Sequence, residues 1–156
     1  MTKQVLFIAF HFPPIQGSSG VHRSLAFTKY LPGFGWQPTV LTVHPRAYDS
    51  ARAENLYLLP PTLRVERAFA LAANKHLAIA GRYPDFLALP DNWQSWILGG
   101  VPRGIALCRE LKPAAIVSTY PIASAHVIGY ALHRLTGIPW LADFRDPMLQ
   151  DDFPHG

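Results

Sequence analysis

Three charged residues, Asp143, Arg145 and Asp146, stand within four positions directly after an apolar run that ends at Ala142. A carboxylate can orient a hydroxyl or accept its proton, and a guanidinium binds carboxylate or phosphate. Asp143 is therefore a candidate for orienting a hydroxyl or acting as a base, and Arg145 is a candidate for binding an anion. The alternative is an internal Asp–Arg ion pair that only fixes the loop.

A second candidate site is the segment Gly17-Ser18-Ser19-Gly20, which precedes a predicted helix. Glycines let the backbone approach a phosphate, and a helix N-terminus offers N–H groups and a partial positive charge. Arg23, in the first turn, would add a full charge. The same residues equally suit a serine-capped helix start that binds nothing. The segment matches neither the dinucleotide fingerprint nor the P-loop, which argues against a standard NAD enzyme and a P-loop NTPase.

Histidine and cysteine side chains are the usual metal ligands and nucleophiles. None of the seven histidines has metal-ligand spacing with a cysteine or carboxylate partner, so no metal is expected. His11 and His126 fall near the ends of predicted strands and are candidate ligand contacts. Cys108 lies in an apolar helical pattern and is expected to be a buried small hydrophobe.

The elements that would position these residues alternate along the chain. Short apolar runs predict strands at 5–10, 39–43, 63–68, 114–119 and 138–143. Helical patterns appear at 21–31, 68–80, 93–111 with an interruption at Gly99-Gly100, and 122–135. The alternation predicts a Rossmann-like, doubly wound, mostly parallel sheet with helices on both faces. Ligands bind at the carboxyl ends of such strands, where His11, Thr119, Tyr120 and Asp143 would meet.

Size and composition fit one globular domain. The chain has 156 residues, of which 49% are apolar and 15% charged. We expect one domain over 1–149 and a tail or linker over 150–156. One cysteine, no signal peptide and no long apolar segment predict a cytoplasmic protein. The net charge of +4 fits an anionic ligand or membrane surface, while the scattered basic residues show no nucleic-acid motif.

Four blocks of the sequence, in order, resemble the family 4 glycosyltransferases of the GT-B fold. The first is the loop at 10–20 followed by Arg23, and the second runs over 31–42, with Gly35-Trp36 before a Val-Leu-Thr strand. The third runs from Lys112-Pro113 to Tyr120-Pro121, and the fourth covers 137–147. Any one block is weakly specific for the family. The four blocks in this order are fairly specific.

The resemblance implies two Rossmann-like domains around a cleft, of which this chain would be the N-terminal, acceptor-side domain. It implies transfer of a sugar from a nucleotide-sugar co-substrate to an acceptor hydroxyl, without metal or cofactor. The setting implied is polysaccharide or glycolipid synthesis, with a sugar or lipid-linked acceptor and peripheral contact with the inner membrane face. The implied roles are donor-phosphate binding by Gly17, Ser18, Ser19, Gly20 and Arg23, acceptor binding by Tyr120, and catalysis by Asp143, Arg145 and Asp146. His11 and His126, from their positions near strand ends, are added as candidate acceptor contacts.

Two departures from the family pattern leave alternatives open. The donor-binding domain with its E-x7-E motif is absent, so the chain alone is expected to be inactive. Tyr120 stands where some relatives carry a histidine. One alternative is a stand-alone, flavodoxin-like module that binds a phosphate-containing ligand without catalysis. Another is a docking domain that lays a basic, apolar helix within 64–82 on anionic lipid or on a partner protein.

Overall fold

A five-stranded parallel sheet organises the domain. The computed structural model describes residues 2–15, 19–48, 51–70 and 91–144. The strands are β1 (Lys3–Ala9), β2 (Trp36–Val43), β3 (Arg64–Ala68), β4 (Ala115–Thr119) and β5 (Trp140–Asp143), in the order β3-β2-β1-β4-β5. The described residues form three α-helices, α1 (Ser19–Tyr30), α2 (Ser95–Leu111) and α3 (Ala123–Thr136). The predicted Rossmann-like α/β fold is confirmed.

The central strand β1 is buried on both faces because it pairs with β2 on one side and β4 on the other. Leu6 and Ile8 face the layer formed by α2 and α3, whereas Phe7 and Ala9 face the side that carries α1. All four side chains are fully buried. An apolar run without alternation therefore suits this position, as the sequence predicted.

Helix α2 differs from its prediction, because it continues through Gly99-Gly100 without a break. The reason is close packing against α3. A Cβ at Gly100 would lie 2.6 Å from Cδ1 of Ile128, and one at Gly104 would lie 2.5 Å from Cδ1 of Leu132. The glycines here allow two helices to approach and do not end one of them.

The prediction of a basic helix within 64–82 is wrong for its first residues, because Arg64 and Arg67 belong to β3. Arg64 bonds Glu66 and Glu110, and Glu66 also binds Arg103 of α2. The helix candidate beyond Ala70 and the tail at 150–156 lie outside the described residues. None of the helices in the described part of the chain combines the length and apolar content needed to cross a bilayer.

A side chain at Gly129 should destabilise the domain, because it would disturb the packing of α3 against the sheet. In Gly129→Ala the new methyl group would overlap Nε1 of Trp140 and lie 3.0 Å from Oγ of Ser118, both in the sheet. We expect a loss of about 1–3 kcal/mol in the free energy of unfolding, measured by urea denaturation. Gly33→Ala is the matched control, since no atom lies within 4 Å of its added Cβ. Equal urea midpoints for the two variants would contradict the described packing.

Candidate functional site

An ion pair joins the start of α1 to the end of β5. Arg23 donates from Nε to Oδ2 of Asp143 at 2.9 Å and from Nη2 to Oδ1 at 2.6 Å. Thr119, the last residue of β4, donates to the same Oδ2 at 2.9 Å. Asp143 therefore holds together three elements at the carboxyl edge of the sheet: α1, β4 and β5.

The environment of this pair is asymmetric. The side chain of Asp143 is 13% exposed, whereas that of Arg23 is 44% exposed. The hydrogen bond to Asp143 raises the pKa of Arg23, so the guanidinium is charged at any physiological pH. A solvent-accessible cation with a fixed orientation thus lies at the edge where Rossmann-like domains bind ligands.

The loop after β1 is held by side chains from the β2–β3 region. Oη of Tyr48 donates to the carbonyl of Phe10 at 2.7 Å, and Nη2 of Arg67 donates to that of Pro13 at 2.5 Å. Nδ2 of Asn55 donates to the carbonyl of Ile15 at 3.2 Å. Residues 10–15 are therefore held in place by side chains from outside the loop.

Two of these supporting groups are ionisable and mostly withdrawn from water. Burial lowers the pKa of Arg67, with a partial opposing effect from Tyr48. Burial likewise raises the pKa of Tyr48, so the phenol stays protonated and able to donate to Phe10. The guanidinium of Arg67 donates to the carbonyls of Val43 and Pro13. Its charge adds positive potential beside the loop.

A second polar cluster lies beneath the edge, between β4, α3 and β5. Nε1 of Trp140 donates to Oγ of Ser118 at 2.8 Å, and this Oγ lies 2.8 Å from Nδ1 of His126. The Ser118 oxygen accepts from Trp140, and its contact with Nδ1 is a hydrogen bond whose donor is set by the tautomer of His126. Nε2 is buried and makes no hydrogen bond to any described residue.

Aromatic rings surround His126. The ring of Tyr120 lies parallel to it at 6.4 Å, and that of Phe144 lies 4.4 Å away, measured between centroids. Burial lowers the pKa of His126, while the charge of Asp143 raises it by a smaller amount. The imidazole is therefore neutral near pH 7, and it is electrostatically coupled to the Arg23–Asp143 pair.

The structure brings together some of the predicted site residues. Arg23 and Asp143 are in contact, and Tyr120 stacks beside His126. Ser19 and Gly20 open α1, and the ring of His11 lies 5.5 Å from that of Phe10. The remaining predictions, Gly17, Ser18, Arg145 and Asp146, fall outside the described residues.

The other chemical candidates have structural roles. Cys108 is buried, and burial raises the pKa of its thiol to about 11, as expected for an inert core residue. Asp91 accepts from the backbone N–H of Trp93 at 2.8 Å and from that of Ser124 at 2.6 Å, so it also caps α3. The described ranges hold no group of three or more His, Cys, Asp or Glu able to bind a metal.

Sequence reasoning missed Ser118 as the centre of the buried cluster and Thr119 as a partner of Asp143. The sequence placed Ser118 within a buried strand and Thr119 at its polar end, without a partner for either. A signal was present, because a hydroxyl inside a buried strand needs a hydrogen-bond partner and so points to a neighbour. The identity of that neighbour depends on which strands are adjacent, which local sequence does not specify.

Comparisons with known proteins support the fold and no particular family. No family model matches the chain, and no curated protein matches it. Among solved structures, it is similar to the C-terminal domain of a hydrogenase from Pyrococcus furiosus. The TM-score is 0.57 at 15% identity, over 90% of each chain. A likeness at this identity shows the fold alone.

The chain is thus a Rossmann-like α/β domain, and its assignment to the family 4 glycosyltransferases is contradicted. The similar solved structure described above is a hydrogenase domain and not a glycosyltransferase. No family model or curated protein supports the resemblance. The blocks at 31–42, 112–121 and 137–147 contain most of β2 and all of β4 and β5, and the block at 10–20 begins directly after β1. Strands of this kind are shared by parallel α/β domains in general.

His126 should make stability depend on pH. Its folded-state pKa lies below the ordinary 6.5, so the unfolded chain takes up the proton first on acidification. The free energy of unfolding should therefore fall as the pH drops below 6.5, and the fall should stop once the pH is below the folded-state pKa. His126→Gln should flatten this dependence by up to about 1.4 kcal/mol per pH unit.

The measurement is urea unfolding between pH 7.5 and 5 for the wild type and His126→Gln. His22→Gln, on the exposed surface of α1, is the control and should retain the wild-type slope. Parallel pH profiles for the wild type and His126→Gln would show that the imidazole titrates alike in the folded and unfolded chains, contrary to its buried position.

Proposed function

We propose that this domain forms the acceptor side of a nucleotide-sugar-dependent glycosyltransferase, which transfers a sugar to an acceptor hydroxyl. The observation that carries the proposal is the Arg23–Asp143 pair with its Thr119 support. It fixes an accessible cation at the start of α1, at the carboxyl edge of a Rossmann-like sheet. The proposed setting is the cytoplasm, in polysaccharide or glycolipid synthesis, as the sequence suggested.

The proposed chemistry needs positive charge near a diphosphate. Sugar transfer breaks the bond between the anomeric carbon and a diphosphate oxygen, and forms one to the acceptor oxygen, whose proton departs. Negative charge then grows on the leaving diphosphate, and fixed cations and N–H groups stabilise it. Arg23 and the N-terminus of α1 lie together, and both favour an anion.

In this proposal Asp143 orients Arg23. Its Oδ1 accepts from Arg23, and its Oδ2 accepts from both Arg23 and Thr119. Hydrogen bonds to both oxygens suit the carboxylate to holding the guanidinium in place. Its charge also acts on the neighbouring imidazole of His126.

On the acceptor side we place Tyr120, with the buried ring of His126 packed beside it. Tyr120 is partly exposed at the end of β4, beside the ring of His126. A tyrosine face packs against the apolar C–H face of a sugar ring, and its hydroxyl can bond a sugar hydroxyl. No metal or resident cofactor is part of the proposal.

A module that binds a phosphate-containing ligand without catalysis would use the same cation. The two functions differ in turnover and not in binding. Binding by this chain therefore has to be measured apart from sugar release by the natural gene product.

Removing the charge of Arg23 should weaken both binding and turnover. We expect Arg23→Gln to raise the Kd for a nucleoside diphosphate by roughly tenfold or more, since a charged hydrogen bond contributes about 1.5–3 kcal/mol. Calorimetric titration of this chain with UDP, GDP and ADP gives the Kd. Release of nucleoside diphosphate from nucleotide sugars by the natural gene product gives the turnover.

Arg134→Gln is the matched control, because Arg134 is exposed in the last turn of α3. The control should leave Kd and turnover unchanged. Nucleotide binding without sugar transfer or hydrolysis by the natural gene product would assign the chain to the non-catalytic alternative. Absence of nucleoside diphosphate binding, with Arg23→Gln equal to the wild type, would overturn the phosphate-binding role itself.

A further inference from the structure

An apolar stripe runs along the exposed side of α1 and continues into the 3-10 turn that follows it. Six residues at helical spacing line a groove of about 360 Å³: Arg23, Ala26, Phe27, Tyr30, Leu31 and Phe34. Arg23 stands at one end, beside Asp143, and Phe34 stands at the other. Phe27 is the member that also packs inward, against Phe7 of β1 at 5.4 Å between ring centroids.

The far end of the stripe protrudes from the domain. Phe34 closes the turn Leu31–Phe34 and is 80% exposed, and Tyr30 is 60% exposed. Gly35, with φ of 76°, reverses the chain immediately after Phe34. The backbone N–H of Lys3 binds the carbonyl of Gly35 at 2.9 Å, which brings the first residues of β1 beside the turn.

Two lysines lie over aromatic rings at this end of the stripe, the exposed Tyr30 and the partly buried Trp36. Nζ of Lys29 lies 5.6 Å from the ring centroid of Tyr30, and Nζ of Lys3 lies 5.3 Å from that of Trp36. The chain has no Asp or Glu before Asp49, so β1, α1 and β2 contain cations and no anion. Asp143, at the opposite end of the groove, is paired with Arg23.

We propose that this stripe docks the domain on an anionic phospholipid membrane, with Phe34 and Tyr30 in the interface and Lys3 and Lys29 at the headgroups. Aromatic rings partition into the interfacial layer, while lysines keep their ammonium groups among the phosphates. The proposal does not depend on sugar transfer. It also uses a surface other than the basic helix suggested by the sequence at 64–82.

The charge and the shape of the surface favour lipid over a second copy of this chain. In a symmetric contact between two copies, the acid-free surface of β1, α1 and β2 would bring cations of both copies together. A single ring at the tip of a turn also suits insertion between lipids better than the flat packing of a protein interface. An anionic bilayer supplies the opposite charge over the whole surface.

Vesicle sedimentation tests the proposal. The chain should bind vesicles with about 30 mol% phosphatidylglycerol in phosphatidylcholine, and bind phosphatidylcholine alone at least fivefold more weakly. Phe34→Ser should lower the partition coefficient about tenfold, and Lys29→Gln about fivefold. Raising NaCl from about 0.1 M to 0.5 M should also release the protein, because salt screens the headgroup charge.

Leu98→Ser is the matched control. Leu98 is 77% exposed on α2, so its substitution removes a similar apolar surface at a distant place. Its partition coefficient should equal that of the wild type. Equal binding to neutral and anionic vesicles, equal losses in Phe34→Ser and Leu98→Ser, or absence of binding would overturn the proposal. A dimer in size-exclusion chromatography that Phe34→Ser dissociates would also overturn it, by assigning the stripe to a second copy.

Discussion

The position of β1 in the centre of the sheet is the constraint on which the rest of the domain depends. Because β2 and β4 both pair with it in parallel, the residues after β1 and after β4 emerge at the same edge. The pairing of β4 with β5 then carries Asp143 to that edge, level with Thr119. Arg23 and Asp143 are 120 positions apart in sequence. They meet because α1, which follows β1, begins at the same edge of the sheet at which β5 ends. The ion pair thus follows from strand order, and the network of Ser118, His126 and Trp140 follows from the same pairing one layer deeper.

Local sequence predicted the parts that depend on local pattern. Apolar runs located all five strands, and the helical spacing at 21–31 and 122–135 matched α1 and α3 within a few residues. The break expected at Gly99-Gly100 was wrong, because the role of those glycines is set by contact with α3 and Phe69, which periodicity along one helix does not reveal. Arg23 and Asp143 were each singled out. Their contact, and the role of Thr119, required the order of strands, which is a property of the whole sheet.

The family assignment failed for a related physical reason. Each block lies in, or directly after, an apolar strand and contains Gly or Pro, so it reflects demands of the fold. Those demands are common to parallel α/β domains with different activities. The likeness to a hydrogenase domain at 15% identity illustrates the point, since shared architecture survives where sequence does not. The case for function therefore has to come from particular contacts, such as the fixed guanidinium of Arg23, and not from the order of the blocks.

The contact between α2 and α3 carries an evolutionary consequence. The side chains of Ile128 and Leu132 pack directly against Gly100 and Gly104, where α2 has no side chain. The space between the two helices is therefore filled by residues of α3 alone at these two positions. A larger residue on α2 is accommodated best by a smaller one on α3, and either change made alone reduces stability. Positions 104 and 132 should therefore vary together among descendants of this sequence, as should 100 and 128. A lineage that replaced the glycines singly would pass through a less stable intermediate, which makes this interface one of the slowest parts of the domain to diverge.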